Sequence, residues 1–223
     1  MIHIRSLEFQ YPTGDFHLDV PDFTVEQSEK VAVIGPSGSG KTTLLNLLAG
    51  ICTPQKGTIE VGNISINHLA EDERRDFRIV NIGFVFQDFE LLDYLNVMDN
   101  ILHPYRITGA LRLDKEVRAR AVNLAQDMGI GDKLKRPVNN LSQGEKQRAA
   151  ICRALLARPK LILADEATGN LDPKNKFRIL DLLFGSVKDH NSTLLTVTHD
   201  HELLGKFDRV IDFQNFQKEP TRV

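Results

Sequence analysis

Gly35-Pro36-Ser37-Gly38-Ser39-Gly40-Lys41-Thr42 is a stretch built to hold a phosphate. It fits the pattern G-x-x-x-x-G-K-[ST]. Its glycines let successive backbone N–H groups turn inward around an anion. A helix starting near Lys41 adds the positive end of its dipole. The Lys41 amine reaches the outer phosphates of a nucleoside triphosphate, and the Thr42 hydroxyl is a ligand for Mg²⁺. A Gly/Ser-rich turn capping a helix is the plainer alternative. The flanks argue against it. Lys30-Val31-Ala32-Val33-Ile34 is a short apolar run suited to a buried parallel strand, and residues 41–50 are apolar and helix-friendly.

A phosphate loop of this kind needs a carboxylate to hold Mg²⁺ through water. Leu161-Ile162-Leu163-Ala164-Asp165-Glu166 supplies one at the end of a second apolar run. Strand C-termini gather on one edge of a parallel sheet, where ligands bind. Asp165 is therefore expected near Mg²⁺, and Glu166 beside the attacking water as general base.

Outward from these motifs the chain keeps an α/β rhythm. The first thirty residues read as β, with Ile2, Ile4, Phe9 and then Phe16, Leu18, Val20 set among polar residues around a turn at Pro12-Thr13-Gly14. Thr58 to Ile66 alternates again. From about Glu71 to Arg158 the pattern is mostly helical. Val117, Ala121, Leu124 and Met128 share a face, Gly129 breaks that helix, and Ser142 to Arg158 is a second strong helix stopped at Pro159. A helix from Pro173 to about Asp189, a strand at Thr193–Val197 and a last one over Arg209–Phe213 complete the order. The tail after Phe213 reads as a frayed polar end.

Composition narrows the class. The 223 residues suit one large domain or two small ones, and 28 basic against 30 acidic residues leave no global pull toward nucleic acid or an anionic membrane. No apolar run approaches the ~18 residues needed to span a bilayer. Cys52 and Cys152 read as small buried hydrophobes in a reducing compartment.

Leu141-Ser142-Gln143-Gly144-Glu145, just before a helix and upstream of the acidic strand, narrows the field further. Ser142 and Glu145 form an S-x-x-E capping box, and the same residues resemble the signature of the ABC ATPases, usually L-S-G-G-Q. Both readings hold together, since a capped helix N-terminus is also a good surface for a phosphate. Other elements of that family appear in its order: Tyr11 resembles the aromatic that stacks on adenine, Gln87 the Q-loop residue, Gly169-Asn170-Leu171-Asp172 the D-loop and His199 the switch histidine. The resemblance runs from the first strand to about residue 213. Gln143 stands where Gly is commoner, and Ala167 where Pro is common.

The resemblance implies an α/β P-loop NTPase cassette: a RecA-like parallel-sheet core and an antiparallel β subdomain, together about 1–86 and 159–213, and a helical subdomain (about 87–158), in a single nucleotide-binding domain over 1–223. It implies ATP and Mg²⁺ as cofactors. Glu166, His199, Gln87 and Lys41 would be catalytic, and Thr42, Gln87 and Asp165 would hold the metal. Tyr11, Gly35 through Thr43, Gln87, Ser142, Gln143, Gly144, Glu145, Asp172 and His199 would contact the nucleotide. It implies an ATP-dependent head-to-tail homodimer, hydrolysis coupled to transport, and a permease partner at the cytoplasmic face of the membrane. Glu145 and Ala167–Asp172 resemble the branch serving lipoprotein release, macrolide export and cell division, whose permeases carry large extracytoplasmic domains. Within that branch, export and a purely regulatory role stay open. The apolar residues Phe89, Leu91, Leu92, Tyr94, Leu95 and Val97 are either the groove for the permease or ordinary packing, and an exposed patch would distinguish the two.

Overall fold

The computed structural model describes residues 1–169 and 173–216. Two sheets divide the strands. Strands β1 (Ile2–Gln10), β2 (His17–Val25), β4 (Lys56–Val61) and β5 (Ile64–Ser65) form an antiparallel sheet in the order β2-β1-β4-β5. Strands β3 (Lys30–Ile34), β6 (Ile82–Val85), β7 (Leu161–Asp165), β8 (Thr193–Val197) and β9 (Arg209–Asp212) form a parallel sheet in the order β6-β7-β8-β3-β9.

Strands β6, β7 and β8 of the parallel sheet are buried along their whole length, β9 is an exposed edge, and side-chain alternation assigns each face to its own core. Leu161 and Leu163 of β7 join Val31, Val33, Leu195 and Val197 against the antiparallel sheet and helix α1 (Lys41–Leu48). Ile162 and Ala164 of the same strand point the other way. They pack with Ile101 of α3 (Val97–Leu102), Val117, Ala121 and Ala125 of α4 (Lys115–Asp127), Ile151 and Cys152 of α5 (Gln143–Leu155), and Ile179 and Leu183 of α6 (Pro173–His190). Helix α2 (Glu71–Asn81) has no buried residue and leads directly into β6.

Three expectations need correction. The stretch read as helical from Glu71 to Arg158 contains β6, a fully buried strand of the parallel sheet that pairs with β7. Its four residues are too few to show a period between helices. The chain beyond Phe213 is not frayed at once: Phe213 is fully buried, and Phe216 rests on it and on Phe23, with ring centroids 5.4 and 6.0 Å apart. Cys152 is buried as expected, but Cys52 is only partly so.

Candidate functional site

The strand order sets the site. The C-terminal ends of β6, β7, β8 and β3 lie side by side and deliver in turn Gln87, Asp165 with Glu166, His199, and the Gly35–Thr42 loop. Together they line a cavity of about 610 Å³.

The loop takes its shape from glycine at two crowded points. Gly35 has φ +146, and a Cβ there would meet Phe213 at 3.3 Å. Gly40 has φ +100, and a Cβ there would meet the Phe16 ring at 2.8 Å. Helix α1 begins with no side-chain cap and no acidic residue in its first turn. Helices α3, α4 and α5 are capped by Asn96, Asp114 and Ser142. Among the described residues no side chain caps the first N–H groups of α1, and the positive end of its dipole favours an anion there. The Lys41 amine sits inside the loop, donating to the carbonyls of Gly35 (2.8 Å) and Pro36 (2.7 Å). Buried Ser39 is its third neighbour, at 3.4 Å.

Next to the loop, the Thr42 hydroxyl donates to Asp165 Oδ2 at 2.7 Å. Burial pushes the Asp165 carboxyl above its usual range, and neighbouring Glu166 adds to the shift while the Thr42 hydrogen bond opposes it. A buried carboxylate beside a second carboxylate is short of positive charge. Among the described residues there is no group of three or more His, Cys, Asp or Glu able to hold a metal. Oxygen donors that do not close a cage suit Mg²⁺, which keeps several waters and takes other ligands from substrate phosphates.

Glu166 has φ 54, in the left-handed region that costs a non-glycine residue about 1–2 kcal/mol. Backbone bonds hold it there: its N–H donates to Val197 O at 3.0 Å, and its carbonyl accepts from Gly169 N–H at 3.0 Å. Its side chain enters the cavity, where His199 Nδ1 lies 2.7 Å from Oε1. The turn carrying His199 is fastened by Thr198 N–H to Val33 O (3.1 Å) and by a Lys176–Asp200 ion pair of 2.5 Å. The Lys176 hydrogen bond holds the Asp200 carboxyl below its usual range.

Tyr11 lines the other end of the cavity, its hydroxyl 3.1 Å from Thr43 Oγ1. Phe16 stands beside it, ring centroids 5.9 Å apart. Phe16 is a cavity residue that sequence reasoning missed. It opens an alternating run, so it reads as one more strand residue, and only the approach to Gly40 and Tyr11 reveals it.

Tyr11, Gly35, Ser37, Gly38, Gly40, Lys41, Thr42, Thr43, Gln87, Asp165, Glu166 and His199 therefore meet in one place. Ser142, Gln143, Gly144 and Glu145 do not line that cavity. They form the N-terminus of α5, where Ser142 N–H donates to Glu145 Oε2 at 2.8 Å and Glu145 N–H to Ser142 Oγ at 3.3 Å. That backbone bond from Ser142 holds the Glu145 carboxyl below its usual range. Asp172 lies outside the described residues, as do Asn170 and Leu171, while Gly169 lines the cavity. Of the apolar stretch after Gln87, Phe89 and Val97 are buried and Leu91 packs into the helical core. Tyr94 is 80% exposed.

Comparison with known proteins adds the decisive observation: residues 18–169 match the ABC transporter family. The chain belongs to the ABC transporter family. It is an ATP-binding cassette of the transporter type, and it hydrolyses ATP. Among its relatives, the macrolide export ATP-binding/permease protein MacB of Rhodopirellula baltica is 42% identical over 95% of this chain, which spans 31% of that larger protein. The lipoprotein-releasing system ATP-binding protein LolD of Hydrogenovibrio crunogenus is 39% identical, over 94% of this chain and 91% of the relative. The fold matches the solved dimeric, post-hydrolysis ATP-binding cassette MJ0796 bound to ADP and Pi, with a TM-score of 0.87 and 32% identity over 95% of this chain and 94% of that one.

Proposed function

We propose that this cassette works as a head-to-tail homodimer closed by ATP, and that its opening and closing drives a membrane permease. The observation that carries this is the separation of the signature from the nucleotide cavity. Ser142 and Gln143 are exposed at a finished helix N-terminus, and none of Ser142 to Glu145 lines the cavity of its own chain. A helix end suited to a phosphate but outside the lining of the chain's own cavity fits a nucleotide held by a second copy. The dimeric cassette among its structural relatives supports the same reading.

Within each site, Lys41 and the α1 N-terminus would bind the phosphates, and Tyr11 would stack on the adenine with Phe16 behind it. Mg²⁺, held by Thr42, Asp165 and Gln87, would neutralise charge on the phosphates. Glu166 is the base that accepts the proton of the attacking water. His199, 2.7 Å from that carboxylate, orients it and meets the terminal phosphate. Asp172 of the D-loop would be a further nucleotide contact.

Residues 87–158 act as a helical arm on the nucleotide-binding core, in one domain over residues 1–223. Tyr94 on that arm is the exposed apolar contact offered to the permease. No helix among the described residues is long and apolar enough to cross a membrane. Membrane attachment at the cytoplasmic face would therefore come through the permease. The names of the relatives support export or lipoprotein release as the work done, and the permease expected for that branch carries an extracytoplasmic domain.

The test is Glu166→Gln with ATP and Mg²⁺. The variant should bind ATP, hold it uncleaved and elute as a stable dimer, and from gently solubilised host membranes it should carry a stoichiometric membrane protein. A monomer at saturating ATP would overturn the dimer. A dimer with no membrane protein would overturn the permease.

A further inference from the structure

Helix α5 does more in its own chain than present Ser142 and Gly144. Gln147 lies one turn further along it, and its side chain is only 1% exposed. The Nε2 group donates to the carbonyl of Ala167 and lies 3.5 Å from the carbonyl of Glu166. Its Oε1 is buried without a partner among the described residues. A buried amide with one half unsatisfied is an expensive choice for packing alone, where a leucine or methionine would serve. What the donor half reaches is the left-handed turn that aims the Glu166 carboxylate into the cavity.

We infer that Gln147 is a positioning residue. It ties the Glu166 turn to the signature helix, so that the placement of α5 sets the aim of the catalytic carboxylate in the same chain. This rests on the reading of Glu166 as the general base. An α-helix transmits axial displacement nearly rigidly over the five residues from Ser142 to Gln147. A second chain's nucleotide that seats against Ser142 thereby moves the Ala167 carbonyl and Glu166 with it. Reacting groups tolerate little displacement, and a shift of about 1 Å costs about 100-fold in rate. The consequence is order: a site turns over only when its own chain's signature is engaged on the other nucleotide.

Gln147→Met keeps the side-chain length and removes the donor. In the full chain with ATP and Mg²⁺, kcat should fall about 10- to 100-fold. KM and nucleotide affinity should stay within about twofold of the parent. In a Glu166→Gln background, Gln147→Met should leave the ATP-trapped dimer unchanged. Gln147→Glu supplies a second readout. Its carboxyl donates to the Ala167 carbonyl only when protonated, so its rate relative to the parent should climb as pH falls from about 8 to 6. Turnover of Gln147→Met within twofold of the parent overturns the inference. So does loss of nucleotide binding or of the trapped dimer along with turnover, which marks a structural role. Should Gln147→Met fail to fold, a flat relative pH profile for Gln147→Glu overturns it. Glu166→Gln alone separates the two levels: if it still turns over, the base assignment falls, whereas an inactive Glu166→Gln beside a fully active Gln147→Met removes only the coupling.

Discussion

Arg153→Met should loosen the turn that follows Gln87, and the size of the effect follows from four groups. The Arg153 guanidinium donates from Nη2 to Phe89 O at 2.5 Å and from Nη1 to Glu90 O. Those carbonyls belong to two consecutive non-glycine residues in the left-handed region, Phe89 at φ 64 and Glu90 at φ 48. Burial pulls the Arg153 pKa down to about 10, against the pull of the Glu90 carboxylate, so the group stays charged at neutral pH. Hydrogen bonds to a charged donor contribute about 1.5–3 kcal/mol each. Arg153 is only partly buried, so water replaces some of that, and about 2–4 kcal/mol is the expected loss for the pair. In a chain of this size that lowers the melting temperature by roughly 4–16 °C. Glu90→Gly supplies the matching control. Glycine adopts positive φ freely, which relieves about 1–2 kcal/mol of strain, while the freer unfolded chain takes back up to about 1 kcal/mol. Added to Arg153→Met, it should restore part of the lost stability. The assay is thermal unfolding followed by circular dichroism on both single variants and the double. A melting temperature for Arg153→Met within about 2 °C of the parent would refute the reasoning, as would a double variant less stable than Arg153→Met alone.

Two further outcomes are expected. Gly83→Ala on β6 would place a Cβ 2.4 Å from the Ala154 carbonyl oxygen and 2.8 Å from Pro159 Cγ. Overpacking of that kind costs about 1–3 kcal/mol, so the melting temperature should drop by roughly 2–12 °C, and an unchanged value would mean that α5 gives way freely. Glu145→Ala should lower the melting temperature at pH 7, because the folded Glu145 pKa lies below its unfolded value. That contribution is complete above the unfolded pKa of about 4.3 and is lost as pH falls through the lower folded value, so the gap between variant and parent should close in acid. A gap independent of pH would assign the effect to helix propensity rather than to the charged cap.

Half of the candidate site was legible because its motifs are short-range. The Gly35–Thr42 loop carries its shape and its cation in eight consecutive residues. Asp165 and Glu166 announce themselves by ending an apolar run, and Ser142 with Glu145 by their spacing. The parts played by Phe16 and Gln147 were not legible, for the opposite reason, although Lys146-Gln147-Arg148 resembles the family's run after the signature. One looks like an ordinary strand aromatic and the other like a polar helix residue, and each acquires its role only from a partner far along the chain, Gly40 for the first and Ala167 for the second. The apolar stretch after Gln87 divides in the same way: hydropathy cannot tell buried Phe89 from exposed Tyr94, because both suit a core equally well.

The sequence by itself determined the local devices: a phosphate loop, an acidic strand end, a capped signature helix and an α/β rhythm. Each depends on neighbours within a few residues, where covalent spacing enforces proximity. Only the tertiary structure decided the order β6-β7-β8-β3, and with it the meeting of Gln87, Asp165, Glu166, His199 and Lys41 in one cavity. It also decided that β6 is a strand and that Ser142 to Glu145 do not line their own chain's cavity. Strand order is chosen by which apolar faces bury each other across the whole chain, and that choice is not written in any local window.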